Sequence, residues 1–261
     1  MSRGHLRPDV ETMYPAKVST TYIYGRHAVL SLLHKVPERV QGLFLSSGAE
    51  QEFRALGQKL NLRVGEISGD LARELDGAVH QGVVARISLA GLVRNYAEFM
   101  NGLTSSASTS LVLLNEITDP HNVGAIIRSA AAFGASGVLI PTHNQAPITG
   151  VVAKASAGMV FSIPLVSIGN VNQTIIDLKE RRCWIYGLEA KSVRELSKEK
   201  FDAPSVFVIG SEGEGLREKT KEHCDILLRV SMHPSAESLN ASVSAGIALF
   251  QWSVQHPEAI R

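Results

Sequence analysis

Between residues 19 and 90, short apolar runs of strand length alternate with segments whose apolar residues recur at helical spacing. Runs rich in β-branched and aromatic residues predict strands, and apolar residues every three or four positions predict amphipathic helices. We therefore expect strands at residues 20–24, 42–45, 62–67 and 83–89, and helices at residues 25–35, 51–60 and 70–75. The pattern predicts a small α/β domain over residues 19–90.

The pattern weakens after residue 90 and then becomes more apolar. Residues 95–103 can form one helix, and residues 104–110 are small and polar, so we place a linker at residues 91–110. In a second domain, residues 111–261, strands are predicted at 111–114, 138–140, 183–186, 206–209 and 226–230. Continuous apolar strands interleaved with helical patterns indicate a mostly parallel sheet that is covered on both faces.

Composition narrows the class of protein only slightly. The chain has 261 residues, a 44% hydrophobic content and a formal net charge of +1. A balanced charge does not by itself indicate a nucleic-acid binder, so an RNA partner would need locally clustered basic residues. Cys183 and Cys224 are too few for a disulfide framework or a metal site, and we expect reduced thiols in a cytoplasmic protein without metal. No apolar run approaches the ~20 residues of a membrane span, so no membrane partner is expected.

The first residues of the chain carry no apolar signal segment. Residues 1–18 are polar, and we expect a disordered leader. Its basic residues Arg3, Arg7 and Lys17 are candidates for contact with RNA.

The first of three candidate corners of a binding site follows the strand predicted at residues 111–114. Asp119 and Pro120 predict a turn, Asn122 predicts a helix N-cap, and the helix is expected at residues 123–133. At ~100° per residue, Arg128 lies more than a quarter-turn from the apolar face of this helix. Arg128 therefore points away from the core, where a guanidinium is suited to grip a phosphate. The alternative is an ordinary solvated surface arginine.

The second corner is rich in glycine. Residues 210–215, Gly-Ser-Glu-Gly-Glu-Gly, follow the strand predicted at 206–209. Glycine allows the backbone to approach a ligand closely and to adopt positive φ. The spacing is not G-x-G-x-x-G, so it does not predict a dinucleotide site.

The third corner follows the strand predicted at residues 226–230. Ser238 can cap a final helix at residues 239–254, which is apolar nearly all round. A helix without a polar face has to be buried on most sides, so we expect a homodimer in which a second chain covers it. Three such corners at the carboxyl edge of one sheet predict a small-molecule site.

In order and spacing the three corners resemble the three motifs of the SpoU (TrmH) family of RNA ribose 2′-O-methyltransferases. The resemblance rests on Asp-Pro-His-Asn-Val-Gly at residues 119–124 with Arg128, on residues 210–216, and on Ser-Leu-Asn at residues 238–240. In the first domain, residues 25–29 and 77–85 look like the substrate-binding domain of the RlmB-type subgroup. Members of that subgroup modify a guanosine ribose in large-subunit, 23S-type ribosomal RNA.

The resemblance implies a fold, a cofactor and a set of site residues. The fold is a SPOUT-type parallel sheet with a C-terminal trefoil knot, preceded by a small α/β RNA-substrate-binding domain similar to ribosomal proteins L30e and L7Ae. The cofactor is S-adenosyl-L-methionine (AdoMet). The implied catalytic residues are Arg128, Asn122, Glu212, Ser238 and Asn240. The implied cofactor-binding residues are Ile209, Gly210, Ser211, Gly213, Val230, Met232, Ser238 and Leu239.

The chemistry expected from this resemblance is alignment and deprotonation of a ribose 2′-hydroxyl. Arg128 is expected to bind the flanking phosphate and to help the hydroxyl ionise, while Asn122 and Glu212 orient the nucleotide and the arginine. The sequence departs from the family at Ser231, where proline is usual, and at Ala241, where valine is common. Neither change removes a chemical group.

The sequence is also compatible with three other functions. The same chemistry on transfer RNA is one alternative, although the first domain favours ribosomal RNA. A noncatalytic RNA-binding or ribosome assembly factor with the same fold is a second. An enzyme of doubly wound α/β fold that acts on an unrelated small molecule is a third.

Overall fold

The computed structural model describes residues 20–48, 51–75, 77–88, 91–211 and 213–260. The leader predicted at residues 1–18 and the site residue Glu212 lie outside the described residues.

The first domain is a four-stranded mixed sheet with helices. Its strands are β1 (Thr20–Tyr24), β2 (Val40–Leu45), β3 (Val64–Glu66) and β4 (Val83–Ser88), and their order is β1-β4-β2-β3. β4 runs antiparallel to β1 and β2, and β3 runs parallel to β2. The helices are α1 (Arg26–Lys35), α2 (Gln51–Lys59) and α3 (Gly69–Glu74). The α/β character predicted for this part of the chain is confirmed.

The second domain is built on a seven-stranded parallel sheet in the order β11-β9-β10-β6-β7-β8-β5. Its strands are β5 (Val93–Asn95), β6 (Ser110–Leu114), β7 (Gly137–Pro141), β8 (Leu165–Ile168), β9 (Trp184–Leu188), β10 (Ser205–Ile209) and β11 (Ile226–Leu228). Every residue of β6, β7 and β10 is buried, which confirms the prediction of a parallel sheet covered on both faces. β5 and β8 were not predicted from the sequence, since runs of three and four residues carry little periodicity.

Helices cover both faces of this sheet. They are α4 (Tyr96–Gly102), α5 (Pro120–Ala132), α6 (Gly150–Ala155), α7 (Val171–Glu180), α8 (Glu218–His223) and α9 (Ala241–Gln255). α5, α6 and α9 bury their apolar residues in a core cluster with Val112 and Phe207. On the opposite face α4 and α7 pack in a second cluster with Leu111 and Val206.

The segment predicted to be a linker is partly ordered into the second domain. β5 pairs in parallel with β8, and α4 follows it, as the helical pattern at residues 95–103 predicts. Phe99 and Met100 of α4 are buried in the second core cluster. Residues 93–102 therefore form the edge of the larger sheet, unlike the linker expected there.

The two domains pack directly against each other. A Cβ on Gly150 of α6 would lie 2.1 Å from the carbonyl oxygen of Tyr22 in β1, so this approach requires glycine. Lys154 Nζ donates to the carbonyl oxygen of Val79 at 3.0 Å. One core cluster includes Val29 of α1 and Val152 of α6, so apolar packing continues across the boundary. The trefoil knot implied by the resemblance stays a prediction.

Candidate active site

A cavity of about 430 Å³ lies at the carboxyl ends of β9, β10 and β11. The segments that follow these strands and the residues that lead into α9 line its walls. All eight residues expected to bind the cofactor line this cavity: Ile209, Gly210, Ser211, Gly213, Val230, Met232, Ser238 and Leu239. The second and third corners of the sequence pattern therefore meet at one place, as parallel strands require of segments after their carboxyl ends.

The glycine-rich segment after β10 forms a tight hairpin. The backbone N–H and C=O of Ser211 and Gly215 pair in both directions, at 3.1 and 3.2 Å. Gly213 and Gly215 adopt φ of 88° and 68°, which glycine does without strain. A Cβ on Gly210 would lie 2.4 Å from the carbonyl carbon of Gly215, so the chain can close here only with glycine. The hairpin presents backbone groups to the cavity instead of bulky side chains.

A carboxylate and an ammonium group form an ion pair in the cavity wall. Glu189, after β9, and Lys221, in α8, have Oε2 and Nζ 2.7 Å apart. Burial of Glu189 acts to raise its pKa, but hydrogen bonds from Lys221 and from the Lys191 backbone outweigh burial and lower it below its ordinary value. The hydrogen bonds to Glu189 and Glu218 raise the pKa of Lys221. Sequence reasoning missed this pair, because Glu189 and Lys221 belong to none of the three motifs.

Asn240 caps the final helix and lies on the rim of the cavity. Its Oδ1 accepts hydrogen bonds from the backbone N–H of Ser242 at 2.9 Å and of Val243 at 3.3 Å. The prediction that Ser238 caps this helix was wrong, because α9 begins at Ala241, three residues after Ser238. Both Ser238 and Asn240 line the cavity. Two of the expected catalytic side chains are thus placed beside the expected cofactor residues.

The first corner is held by Asp119, which caps α5. Asp119 Oδ1 accepts from the backbone N–H of His121 at 2.9 Å, and Pro120 occupies the first helical position. The predicted cap, Asn122, lies inside the helix and is 5% exposed. Asn122 Nδ2 donates to Asp119 Oδ2 at 3.1 Å, and Asn122 Oδ1 accepts from Asn240 Nδ2 at 3.0 Å. Asn122 therefore joins the first corner to the third.

Arg128 is exposed on α5, as the helix geometry predicts. It forms no hydrogen bond or ion pair with the described residues, and it does not line the cavity. α5 itself is tightly seated, since a Cβ on Gly124 would lie 2.5 Å from the Cβ of Ala155 in α6. The guanidinium is therefore carried by a rigid helix whose first turn is tied to the cavity rim.

Comparison with known proteins assigns the chain to a family. A profile of the SpoU rRNA Methylase family matches residues 109–250, more than half of the chain. The chain belongs to the SpoU rRNA methylase family. A second profile, described as RNA 2′-O ribose methyltransferase substrate binding, matches residues 22–91. The two profiles divide this SpoU family member near the boundary between the two sheets.

Curated relatives match nearly the whole of this SpoU family member. The 23S rRNA (guanosine-2′-O-)-methyltransferase RlmB of Pseudomonas putida is 37% identical over 88% of this chain and 94% of its own. The protein of the same name from Escherichia coli K12 is 36% identical over 88% and 96%. The SpoU methyltransferase AviRb from Streptomyces viridochromogenes, solved in complex with AdoMet, superposes with a TM-score of 0.78 at 20% identity, over 95% of this chain and 97% of its own. That structural likeness confirms the SPOUT-type fold.

The described residues contain neither a metal-binding cluster nor a membrane-spanning helix. No group of three or more His, Cys, Asp or Glu side chains within them is placed to hold a metal ion. Within the same residues, none of the helices combines the length and apolar character that crossing a membrane requires.

Proposed function

We propose that this SpoU family member transfers a methyl group from AdoMet to the ribose 2′-hydroxyl of a guanosine in 23S-type ribosomal RNA. The observation that carries the proposal is the cavity at the sheet edge, where the second and third motifs meet and to which Asn122 ties the first. The curated relatives named for this reaction match both domains, so the substrate-binding domain supports ribosomal RNA as the substrate class.

The cavity fits AdoMet in size and in the chemistry of its walls. Its volume of about 430 Å³ lies within the ~300–1,000 Å³ typical of small-molecule sites. Ile209, Val230 and Leu239 offer apolar surface to an adenine ring, and the backbone of residues 210–215 offers hydrogen-bonding groups. The Glu189 carboxylate is suited to accept hydrogen bonds from ribose hydroxyls or from an ammonium group. These residues, with Ser211, Gly213, Met232 and Ser238, are our proposed cofactor site.

AdoMet supplies an already activated methyl group when it is bound. The task left to the chain is to align the 2′-hydroxyl and to remove its proton. We assign to Arg128 the binding of the flanking phosphate, because its guanidinium is exposed and forms no ion pair with the described residues. Ser238 and Asn240, on the cavity rim, are assigned to contact with the ribose, and Glu212 to orientation of the substrate.

The geometry favours a positioning role for Asn122. Its side chain is buried, and its amide bonds both Asp119 and Asn240, so the nucleotide contact expected from the family resemblance is less favoured. Through these bonds Asn122 sets the position of Asn240 relative to α5. We therefore propose that Asn122 acts on the substrate through Asn240.

We further propose that the protein is a homodimer that pairs through α9. Val243, Phe250 and Val254 are 47%, 53% and 60% exposed, and their spacing of seven and four residues places them on one face. A contiguous apolar strip of this kind on a surface helix marks a protein interface. Because the proposed substrate is ribosomal RNA, we also propose that the protein acts in the cytoplasm.

The proposal is tested by mapping 2′-O-methylation on total RNA from cells with and without the gene. We expect one guanosine of 23S-type ribosomal RNA to lose its methyl group when the gene is deleted, and to regain it when the wild-type gene returns. A gene for the Arg128→Ala variant should fail to restore the mark. Loss of a transfer RNA methyl group instead would establish the alternative substrate. An unchanged methylation map would favour a noncatalytic RNA-binding role.

A further inference from the structure

A second cavity, also of about 430 Å³, lies outside the proposed cofactor site. It opens at the carboxyl ends of β6, β7 and β8. Its polar wall includes Asn115, Glu116, Asn144, Asn170, Asn172 and Arg217. None of these residues belongs to the sites assigned above.

One wall residue is buried with an unused hydrogen-bonding group. Asn115 is 4% exposed, and its Nδ2 has no hydrogen-bond partner among the described residues. A buried amide without a partner costs free energy, so native structures rarely keep one unless a ligand or water pairs with it. Glu116 beside it adopts φ of 62°, a backbone strain that is common at functional sites.

Glu116 offers a free acceptor next to a set of donors. Its Oε1 pairs with Nη2 of Arg217 at 2.8 Å and accepts a hydrogen bond from Nδ2 of Asn144 at 3.3 Å. Its Oε2 receives no hydrogen bond from the described residues. The Arg217 side chain is 65% exposed and contributes only Nη2 to this ion pair, so its other N–H groups remain available. The cavity therefore presents a carboxylate acceptor and a guanidinium donor side by side.

The two cavities adjoin at the centre of the sheet. The backbone N–H of Asn115, which lines the second cavity, donates at 2.8 Å to the carbonyl oxygen of Ile209, which lines the first. Arg217, which lines the second cavity, follows two residues after Gly215, which lines the first and pairs with Ser211. β6 and β10 are the strands at which the connections of the sheet change direction, where ligands of parallel sheets bind. One nucleotide can therefore direct its ribose to one cavity and its base to the other.

We propose that the second cavity holds the guanine base of the nucleotide that is methylated, an inference that rests on the proposed function. The free Oε2 of Glu116 accepts hydrogen bonds from the N1–H and 2-amino groups, and Arg217 donates to O6. Enzymes that select a base in RNA read such an exposed Watson–Crick edge by hydrogen bonds in a pocket. Adenine presents an acceptor at N1, which the Glu116 carboxylate would repel. The cavity thus explains selection of guanosine over adenosine.

The test uses synthetic ribosomal RNA fragments that carry the mapped target as guanosine, inosine or 2-aminopurine. Inosine lacks the 2-amino group, and 2-aminopurine lacks O6 and the N1 proton. For the full wild-type chain we expect kcat/KM to fall at least about tenfold on inosine, the usual loss for a hydrogen bond to a charged group. Glu116→Gln should lower kcat/KM on guanosine at least about tenfold and bring the guanosine-to-inosine ratio close to one.

A second variant and a control separate base recognition from damage to the fold. Arg217→Gln should lower kcat/KM on guanosine and inosine by similar factors, with little change on 2-aminopurine. Glu222→Gln makes the same change as Glu116→Gln at an exposed position of α8 outside both cavities, and should keep the wild-type ratios. The thermal melt of each variant should match that of the wild type, so that a change in kcat/KM reflects base recognition and not a damaged fold.

The outcomes distinguish the two proposals. Suppose that the wild type methylates the guanosine fragment and that the Glu116→Gln and Arg217→Gln variants keep its guanosine-to-inosine and guanosine-to-2-aminopurine ratios. That result would overturn the proposed base pocket and leave the proposed function standing. If the two variants lose activity by the same factor on all three fragments, the base pocket is also overturned. Failure of the wild type to methylate any RNA would remove the proposed function, and the base pocket with it.

Discussion

Arg128 combines an exposed guanidinium with a rigid support. Because it forms no ion pair with the described residues, its replacement should leave the fold intact. We expect Arg128→Ala to lower single-turnover methylation of the ribosomal RNA fragment by about two orders of magnitude, corresponding to ~3 kcal/mol of lost transition-state stabilisation. Calorimetry should find AdoMet binding nearly unchanged, and a thermal melt should match the wild type.

Two variants sharpen this measurement. Lys219→Ala removes an exposed cation from α8 and should keep full activity. Arg128→Lys keeps the charge but loses the two-pronged donor geometry, so partial recovery would support phosphate binding. An active Arg128→Ala enzyme, or one that is inactive only because it melts early, would remove Arg128 from the catalytic role.

The Glu189–Lys221 ion pair makes stability depend on pH. The pKa of Glu189 is lowered in the folded protein from its ordinary 4.5, so its stabilising contribution is complete above that value. The contribution is lost as pH falls through the lower folded-state pKa. The pKa of Lys221 is raised from 10.5, so its contribution is complete below that value and lost as pH rises through the folded-state pKa.

We therefore expect Glu189→Gln to lower the free energy of unfolding by up to about 1 kcal/mol at neutral pH, measured by urea unfolding. The difference from the wild type should shrink steadily as the pH falls below about 4. Glu218→Gln is a matched control, because Glu218 also pairs with Lys221. Its side chain is 84% exposed and screened by water, so this change should lower the free energy of unfolding by less than Glu189→Gln does. A difference that is the same at acid and neutral pH would argue against this pair as its source.

At the scale of elements, α9 carries two different faces. Ala245, Ala248, Leu249 and Trp252 are buried against the sheet and α5, whereas Val243, Phe250 and Val254 form the exposed apolar strip. Both faces are apolar, so the helix reads in sequence as buried all round. Only the packing of α9 in the tertiary structure shows which apolar residues are buried in the core and which are exposed for an interface.

Light scattering should show a dimer of the wild type at micromolar concentration and a monomer of the Phe250→Glu variant. The new charge would have to be buried without a partner at the interface, which costs several kcal/mol. Because Phe250 also contacts Phe133, Val254→Glu provides a second variant without that contact. Ile176→Glu places the same charge at a 39% exposed position on α7 and should stay dimeric. A monomeric wild type would contradict the homodimer.

At the scale of the whole molecule, shortened chains show which residues the second domain needs in order to fold and to bind AdoMet. A chain of residues 91–261 keeps all seven strands of the larger sheet, and we expect it to bind AdoMet in calorimetry. A chain that begins at residue 108 lacks β5 and α4, and with them the buried Phe99 and Met100. Loss of one such side chain typically costs ~2–5 kcal/mol, so this shorter chain should melt much earlier. If residues 91–261 keep a cooperative thermal melt but do not bind AdoMet, the first domain contributes to the cofactor site.

Much of this protein is determined by residues close together in the sequence. The long apolar runs are sufficient to specify buried parallel strands, because a strand covered on both faces needs no polar positions. The glycines of residues 210–215 specify a tight hairpin, because positive φ and close backbone contact exclude side chains. The exposed side of Arg128 follows from helix geometry alone, and the three motifs were enough to indicate the family.

Other features are decided only by contacts between residues distant in sequence. Asp119 and Asn240 cap the helices where Asn122 and Ser238 were predicted, because several polar residues near a helix start satisfy the local rule and packing selects one. β5 becomes a strand because β8 offers it an edge, although three residues carry no recognisable pattern. The Glu189–Lys221 pair and the cavity beside Asn115 join segments about 30 to 100 residues apart. Their chemistry exists only after the sheet has brought those segments together, since charge and hydrogen-bond complementarity depend on distance in space.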